Sequence, residues 1–151
     1  VGDGRQDRGI GNAVRDLAMI GLDRVAGYTG ANEVERWAVG DQAESVRQIT
    51  AAQLAERLRA GDVAVIDVRA QTEYASGRLP GAVNIPLGQL GERAESVPRD
   101  RVVVLQCQSG GRSAIAASVL GARGFDNVAD LVGGLNAWKA AGYPVSASGT
   151  A

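Results

Sequence analysis

From Val46 onward the apolar residues fall into two alternating patterns. One is the short, nearly unbroken run. Val63-Ala64-Val65-Ile66-Asp67-Val68 is the clearest, followed by residues 101–106, residues 128–132 and a shorter run over 82–85. Such runs predict strands buried on both faces, as in a parallel sheet. The other pattern has helical spacing. Leu54 and Leu58 share one face of a segment that opens on the capping box Thr50-Ala51-Ala52-Gln53 and closes at Gly61. Ile115, Val119 and Leu120 mark the expected core side of a helix over 113–122. Shorter helices are expected over 71–75, closed by Gly77, and over 87–94. A last helix opens at Gly133-Gly134, passes Trp138 and stops at Gly142. Pro80-Gly81 is a turn signal, and the chain from Pro144 reads as tail. Strands alternating with helices predict an α/β domain whose mostly parallel sheet is covered on both faces.

The first 45 residues acquire a pattern only when laid against the end of the chain. Gly21-Leu22-Asp23-Arg24-Val25-Ala26 aligns with Gly124-Phe125-Asp126-Asn127-Val128-Ala129. Leu17 then falls on Leu120, and Trp37 falls near Trp138, where both tryptophans read as packing anchors. This predicts a degenerate internal repeat of helix, strand and helix. An isolated piece of that kind cannot bury its own apolar faces. Residues 1–45 are therefore expected to pack on the main domain or on another chain, a route to oligomers. The expected organisation is a partial segment over 1–45, a main domain over 46–145 and a tail over 146–151. The glycine-rich, charged opening and the absence of a first methionine suggest a piece of a longer protein.

Composition narrows the chemistry. The chain has 151 residues, 45% of them hydrophobic, and a formal net charge of −1. That balance argues against nucleic-acid binding, and no apolar run is long enough to span a membrane. The single cysteine, Cys107, excludes an internal disulfide and fits a reducing, cytoplasmic setting. There is no histidine, which removes Cys–His pairs, Ser–His–Asp triads and histidine-ligated metals. No metal site is expected. Lys139 is the only lysine, so Schiff-base chemistry is not expected either.

One segment looks built for reaction. Cys107-Gln108-Ser109-Gly110-Gly111-Arg112-Ser113 joins an apolar strand to a helix. A lone cysteine is usually a small buried hydrophobe. Here it stands in a glycine loop at a helix N-terminus, where amides and the helix dipole favour an anion. A thiol held there ionises more readily. Gly110 and Gly111 can turn successive amides inward and leave room for an added sulfur. Arg112 is expected to organise the loop by bonding its carbonyls, or to meet an anionic donor. Asp67 and Arg69, at the end of an expected strand, read as structural, with Asp67 fixing a turn and Arg69 pairing with Glu73.

The loop resembles the active-site loop of the rhodanese sulfurtransferases. Ile66-Asp67-Val68-Arg69, Glu73-Tyr74, Gly77-Arg78-Leu79-Pro80-Gly81-Ala82-Val83-Asn84-Ile85-Pro86 and Gly133-Gly134-Leu135-Asn136-Ala137-Trp138 match in the same order. The resemblance implies a parallel five-stranded sheet with helices on both sides. It implies Cys107 as a persulfide-carrying nucleophile cradled by the amides of Gln108, Ser109, Gly110, Gly111, Arg112 and Ser113. The expected donors are thiosulfate or a persulfide or polysulfide, the acceptors thiols, sulfite or cyanide, with no cofactor in this chain. Two departures stand out. Arg78 replaces a histidine common in relatives, and Gln108 and Ser109 are neutral where some thiosulfate users carry basic residues. Residues 17–28 resemble a degenerate segment in bacterial fusions of a metallo-β-lactamase-fold domain with a rhodanese. That similarity implies a metal-dependent domain upstream. The alternatives are a non-catalytic or sulfur-relay module and a cysteine-dependent phosphatase or arsenate reductase. The latter needs a loop one residue longer between cysteine and arginine.

Overall fold

A computed structural model describes residues 10–15, 25–30, 32, 33, 36 and 45–147. The chain falls into two compact units, Val1–Glu44 and Ser45–Ala151. In the first, residues 10–15 are helical, and Arg36 pairs with Glu33 at 2.5 Å. Most of the expected repeat, including Leu17, residues 21–24 and Trp37, lies outside the described residues. The repeat places a strand from Val25, but residues 25–30 carry no regular structure. A strand gains little without a partner to take its backbone hydrogen bonds.

The second unit holds β1 (Arg47–Ile49), α1 (Ala51–Ala60), β2 (Val63–Asp67), α2 (Gln71–Ser76), β3 (Val83–Asn84), α3 (Leu87–Leu90), β4 (Val102–Gln106), α4 (Gly111–Gly121), β5 (Val128–Leu131) and α5 (Gly134–Ala140). The capping box is formed as expected. Gln53 N–H donates to Thr50 Oγ1 at 3.3 Å, and Thr50 N–H to Gln53 Oε1 at 2.9 Å. Gly61 ends α1 in the left-handed region at φ 74°. The five strands are all parallel and run in the order β1-β5-β4-β2-β3.

Alternation along the strands divides two cores. Ile66, Val103, Leu105 and Cys107 pack with Leu90 of α3 and Ala116, Ala117 and Leu120 of α4. Val65, Val104, Ala129 and Leu131 pack with Leu54 of α1 and Leu135 and Trp138 of α5. This is the double burial that the unbroken apolar runs predict.

Four local expectations need correction. The helix expected over 87–94 is one turn, α3, followed by a short 3₁₀ turn at Ala94–Ser96. Gly88 and Gly91 weaken a longer helix. The helix expected from Ser113 starts at Gly111, because Gly110 at φ 108° bends the chain sharply into it. Ile115, expected in the core, is 57% exposed. It lies five residues from buried Leu120, about 140° around the helix. Ala116 and Ala117 take its place. The chain expected to trail off from Pro144 is tied back: Trp138 Nε1–H donates to Pro144 O at 2.8 Å, and Ser146 bridges to Arg78. No helix among the described residues is long and apolar enough to cross a membrane.

Candidate functional site

The central strand β4 ends at Gln106, and Cys107 follows directly. This is the carboxyl end of a parallel sheet, where such folds place their binding sites. Cys107 is 1% exposed and forms the floor of the loop. Its Sγ accepts from Gly110 N–H at 3.2 Å and meets the Ser113 hydroxyl at 3.5 Å. Burial pushes the thiol pKa up. The Ser113 hydroxyl and the Ser113, Ser109 and Gly110 amides outweigh it, so the thiol lies below its ordinary value. Of the cradle expected from the sequence, the Gly110 amide and the Ser113 hydroxyl bond the sulfur directly. Gln108 contributes differently, through its side chain.

That side chain links both walls of the loop. Arg69 Nη1–H donates to Gln108 Oε1 at 3.2 Å, and Gln108 Nε2–H donates to Asn136 Oδ1. Two backbone bonds reinforce the second wall. Leu135 N–H donates to Cys107 O at 2.9 Å, and Asn136 N–H to Gln108 O at 3.0 Å. Gly134 makes this approach possible. It sits at φ 56°, and a Cβ there would collide with the Cys107 carbonyl oxygen. The Gly133-Gly134 pair was legible as the opening of a helix, but its grip on the cysteine loop was not.

The charged residues pair differently from the expectation. Arg69 does not pair with Glu73. It is buried, and its Nε–H and Nη2–H donate to Asp67 Oδ1 and Oδ2 at 3.0 and 2.6 Å, with a further bond from Nη2–H to Gly77 O at 2.7 Å. Asp67 Oδ1 also accepts from Arg69 N–H at 3.0 Å, which does fix the turn. Glu73 goes to Arg112, in a two-pronged bond of 2.7 and 2.8 Å that ties α2 to α4. Arg112 thus organises the loop through a neighbouring helix rather than through loop carbonyls. The Arg112 hydrogen bond first, then the Ala70 amide and the Arg112 and Arg69 charges, overcome burial and hold the Glu73 carboxyl at about 2. The same pair raises Arg112, with Cys107 adding to the effect.

The site can stabilise a sulfur anion, and beside Gly111 it is open, since a Cβ there would meet nothing within 4 Å. Among the described residues there is no group of three or more His, Cys, Asp or Glu that could hold a metal ion.

The family pattern of the rhodanese-like domain matches residues 50–141. A protein named sulfurtransferase from Allochromatium vinosum is 37% identical over 103 residues, covering 68% of this chain and 96% of that protein. An HTH-type transcriptional regulator of Mycobacterium tuberculosis is 38% identical over 98 residues, covering 64% of this chain and 43% of the regulator. The crystal structure of a rhodanese-related protein from Thermoplasma volcanium superposes with a TM-score of 0.62 at 36% identity, covering 66% of this chain and 97% of that one.

Proposed function

The chain belongs to the rhodanese-like domain family, and on that premise we propose that it transfers sulfane sulfur through a persulfide on Cys107. The Cys107 thiolate attacks the outer sulfur of a donor. A Cys107 S–S bond forms, the donor's S–S bond breaks, and the donor's remainder leaves with the electron pair. An acceptor thiolate, sulfite or cyanide then attacks the outer sulfur of the persulfide and releases the Cys107 thiolate. The cycle is redox-neutral and needs no cofactor. The supporting observation is the Sγ held by the Gly110 amide and the Ser113 hydroxyl at the carboxyl end of β4. The same donors serve the larger persulfide anion.

The donor class follows from charge. The two arginines that brace the loop, Arg69 and Arg112, are each paired with a carboxylate. Gln108 and Ser109 are neutral. A thiosulfate dianion gains little from such a mouth, so a persulfide or polysulfide is the favoured donor. The resemblance of residues 17–28 extends the proposal to a metallo-β-lactamase-fold domain in the same polypeptide, releasing or consuming that persulfide.

The test is intact mass after incubation with thiosulfate, inorganic polysulfide or glutathione persulfide. One added sulfur atom is expected, from the persulfide donors most readily, and none in Cys107→Ser. If no donor loads Cys107, the protein is a binding module. The similarity to part of a transcriptional regulator favours a second reading, in which the persulfide is presented to a partner and not turned over. Loading without transfer to any small acceptor would select it.

A further inference from the structure

A polar cavity lies on the β3 side of the cysteine loop. Its volume is about 400 Å³, and its lining includes Gln71 and Tyr74 of α2, Asn84 of β3, Gln89 of α3 and Arg93. Asn84 ends β3, and Cys107 follows the end of β4. Cavity and sulfur therefore share the carboxyl edge of the sheet. The strand order puts β2 between β3 and β4. With strands about 4.8 Å apart, the cavity stands about 5–10 Å from the sulfur along that edge.

The cavity has fixed walls and unused polar groups. Tyr74 O–H donates to Ala82 O, and Asn84 Nδ2–H donates to Asp67 O and Arg69 O at 2.8 and 2.9 Å. These bonds hold both side chains in place. Among the described residues, the Gln71, Gln89 and Arg93 side chains have no hydrogen-bond or ion-pair partner. Arg93 differs in this from Arg69 and Arg112, each of which has a carboxylate. No carboxylate lines the cavity. Glu92 and Glu95, the sequence neighbours of Arg93, line a separate cavity with Arg99 and Arg123.

We propose that this cavity holds the body of a small peptidic thiol bearing carboxylates, whose sulfur reaches Cys107. The inference rests on Cys107 as the sulfur carrier and adds no chemical step to that cycle. A carboxylate of the peptide pairs with the Arg93 guanidinium, whose fork matches it. Its amides meet Gln71 and Gln89, whose side chains both donate and accept. An extended chain covers about 3.3 Å per residue, so two or three residues bridge the separation. Inorganic polysulfide and thiosulfate have no body to fill the cavity. Cys107 takes the sulfur, and the cavity selects its carrier.

The test has two arms, both on the full chain. In the first, calorimetry follows binding of S-methylglutathione, a peptidic thioether that cannot give up sulfur. Arg93→Gln should weaken this binding about fivefold, the range of an exposed ion pair. Arg59→Gln, an equal change in charge at an exposed position of α1, should leave it unaltered. In the second arm, Arg93→Gln should raise KM for glutathione persulfide by a similar factor at unchanged kcat, which marks lost binding. KM for inorganic polysulfide should stay as it is. The proposal falls if S-methylglutathione does not bind the unsubstituted chain. It also falls if Arg93→Gln acts no more strongly than Arg59→Gln, or acts equally on both donors. The first arm forms no persulfide, so its failure is separate from failure of Cys107 to load from polysulfide.

Discussion

The cysteine loop is held from two sides by different means. On the β2 and α2 side the grip is ionic, with Asp67 on Arg69 and Glu73 on Arg112. On the β5 and α5 side it is backbone, with the Leu135 and Asn136 amides on the Cys107 and Gln108 carbonyls. On the ionic side the partly exposed Glu73–Arg112 pair answers to pH and salt, and it sets the charge that a substrate meets. The backbone side answers only to shape, through one glycine. Gln108 spans the two. A thiolate loop needs both, because its geometry must stay fixed while its charge changes during the cycle.

The comparison breaks most severely at the buried ion pair. Asp67→Ala leaves the Arg69 guanidinium buried without its carboxylate, and should cost about 3–5 kcal/mol in chemical denaturation. Sulfur loading at Cys107 should fall with it, since Arg69 supports Gln108. The backbone side comes next. Gly134→Ala forces a Cβ against the Cys107 carbonyl at a left-handed φ, and should cost about 1–3 kcal/mol. A larger fraction of its loss should appear in persulfide formation than in melting temperature, because the strain falls on the loop itself.

The exposed pair is the weakest and the most informative. Arg112 and Glu73 side chains are 39% and 35% exposed, so solvent screens them and Glu73→Gln should cost at most about 1 kcal/mol. The same change frees a cation beside Cys107. Steady-state kinetics should show thiosulfate use rising a few-fold relative to glutathione persulfide. An unchanged ratio would remove charge as the basis of donor choice.

The smallest effect is in acid. The folded Glu73 carboxyl is held at about 2, below its unfolded value of about 4.3. Its stabilising contribution is complete above the unfolded value and is lost as pH falls through the folded one. Melting curves of the parent and of Glu73→Gln should therefore converge as pH drops from about 4.3 toward about 2.

The elements were largely legible in the chain, because each rests on local signals. Val63 to Asp67 is a strand for its unbroken apolar run, and α1 starts at Thr50 because Gln53 completes the capping box. The Cys107 loop was legible for the same reason: strand, glycines and helix are neighbours in sequence. Ile115 misled, since apolar character alone does not set the rotation of a helix whose start is fixed by Gly110.

Pairing was not legible. Arg112 reaches Glu73 across 39 positions, and the Leu135 amide reaches the Cys107 carbonyl only because β5 lies beside β4 in the sheet. Sequence alone determined where the thiol stands and that no histidine activates it. Tertiary structure decided which carboxylate each arginine takes and why position 134 must be glycine. Strand order sets those distances, and strand order arises from packing two cores at once rather than from any one segment.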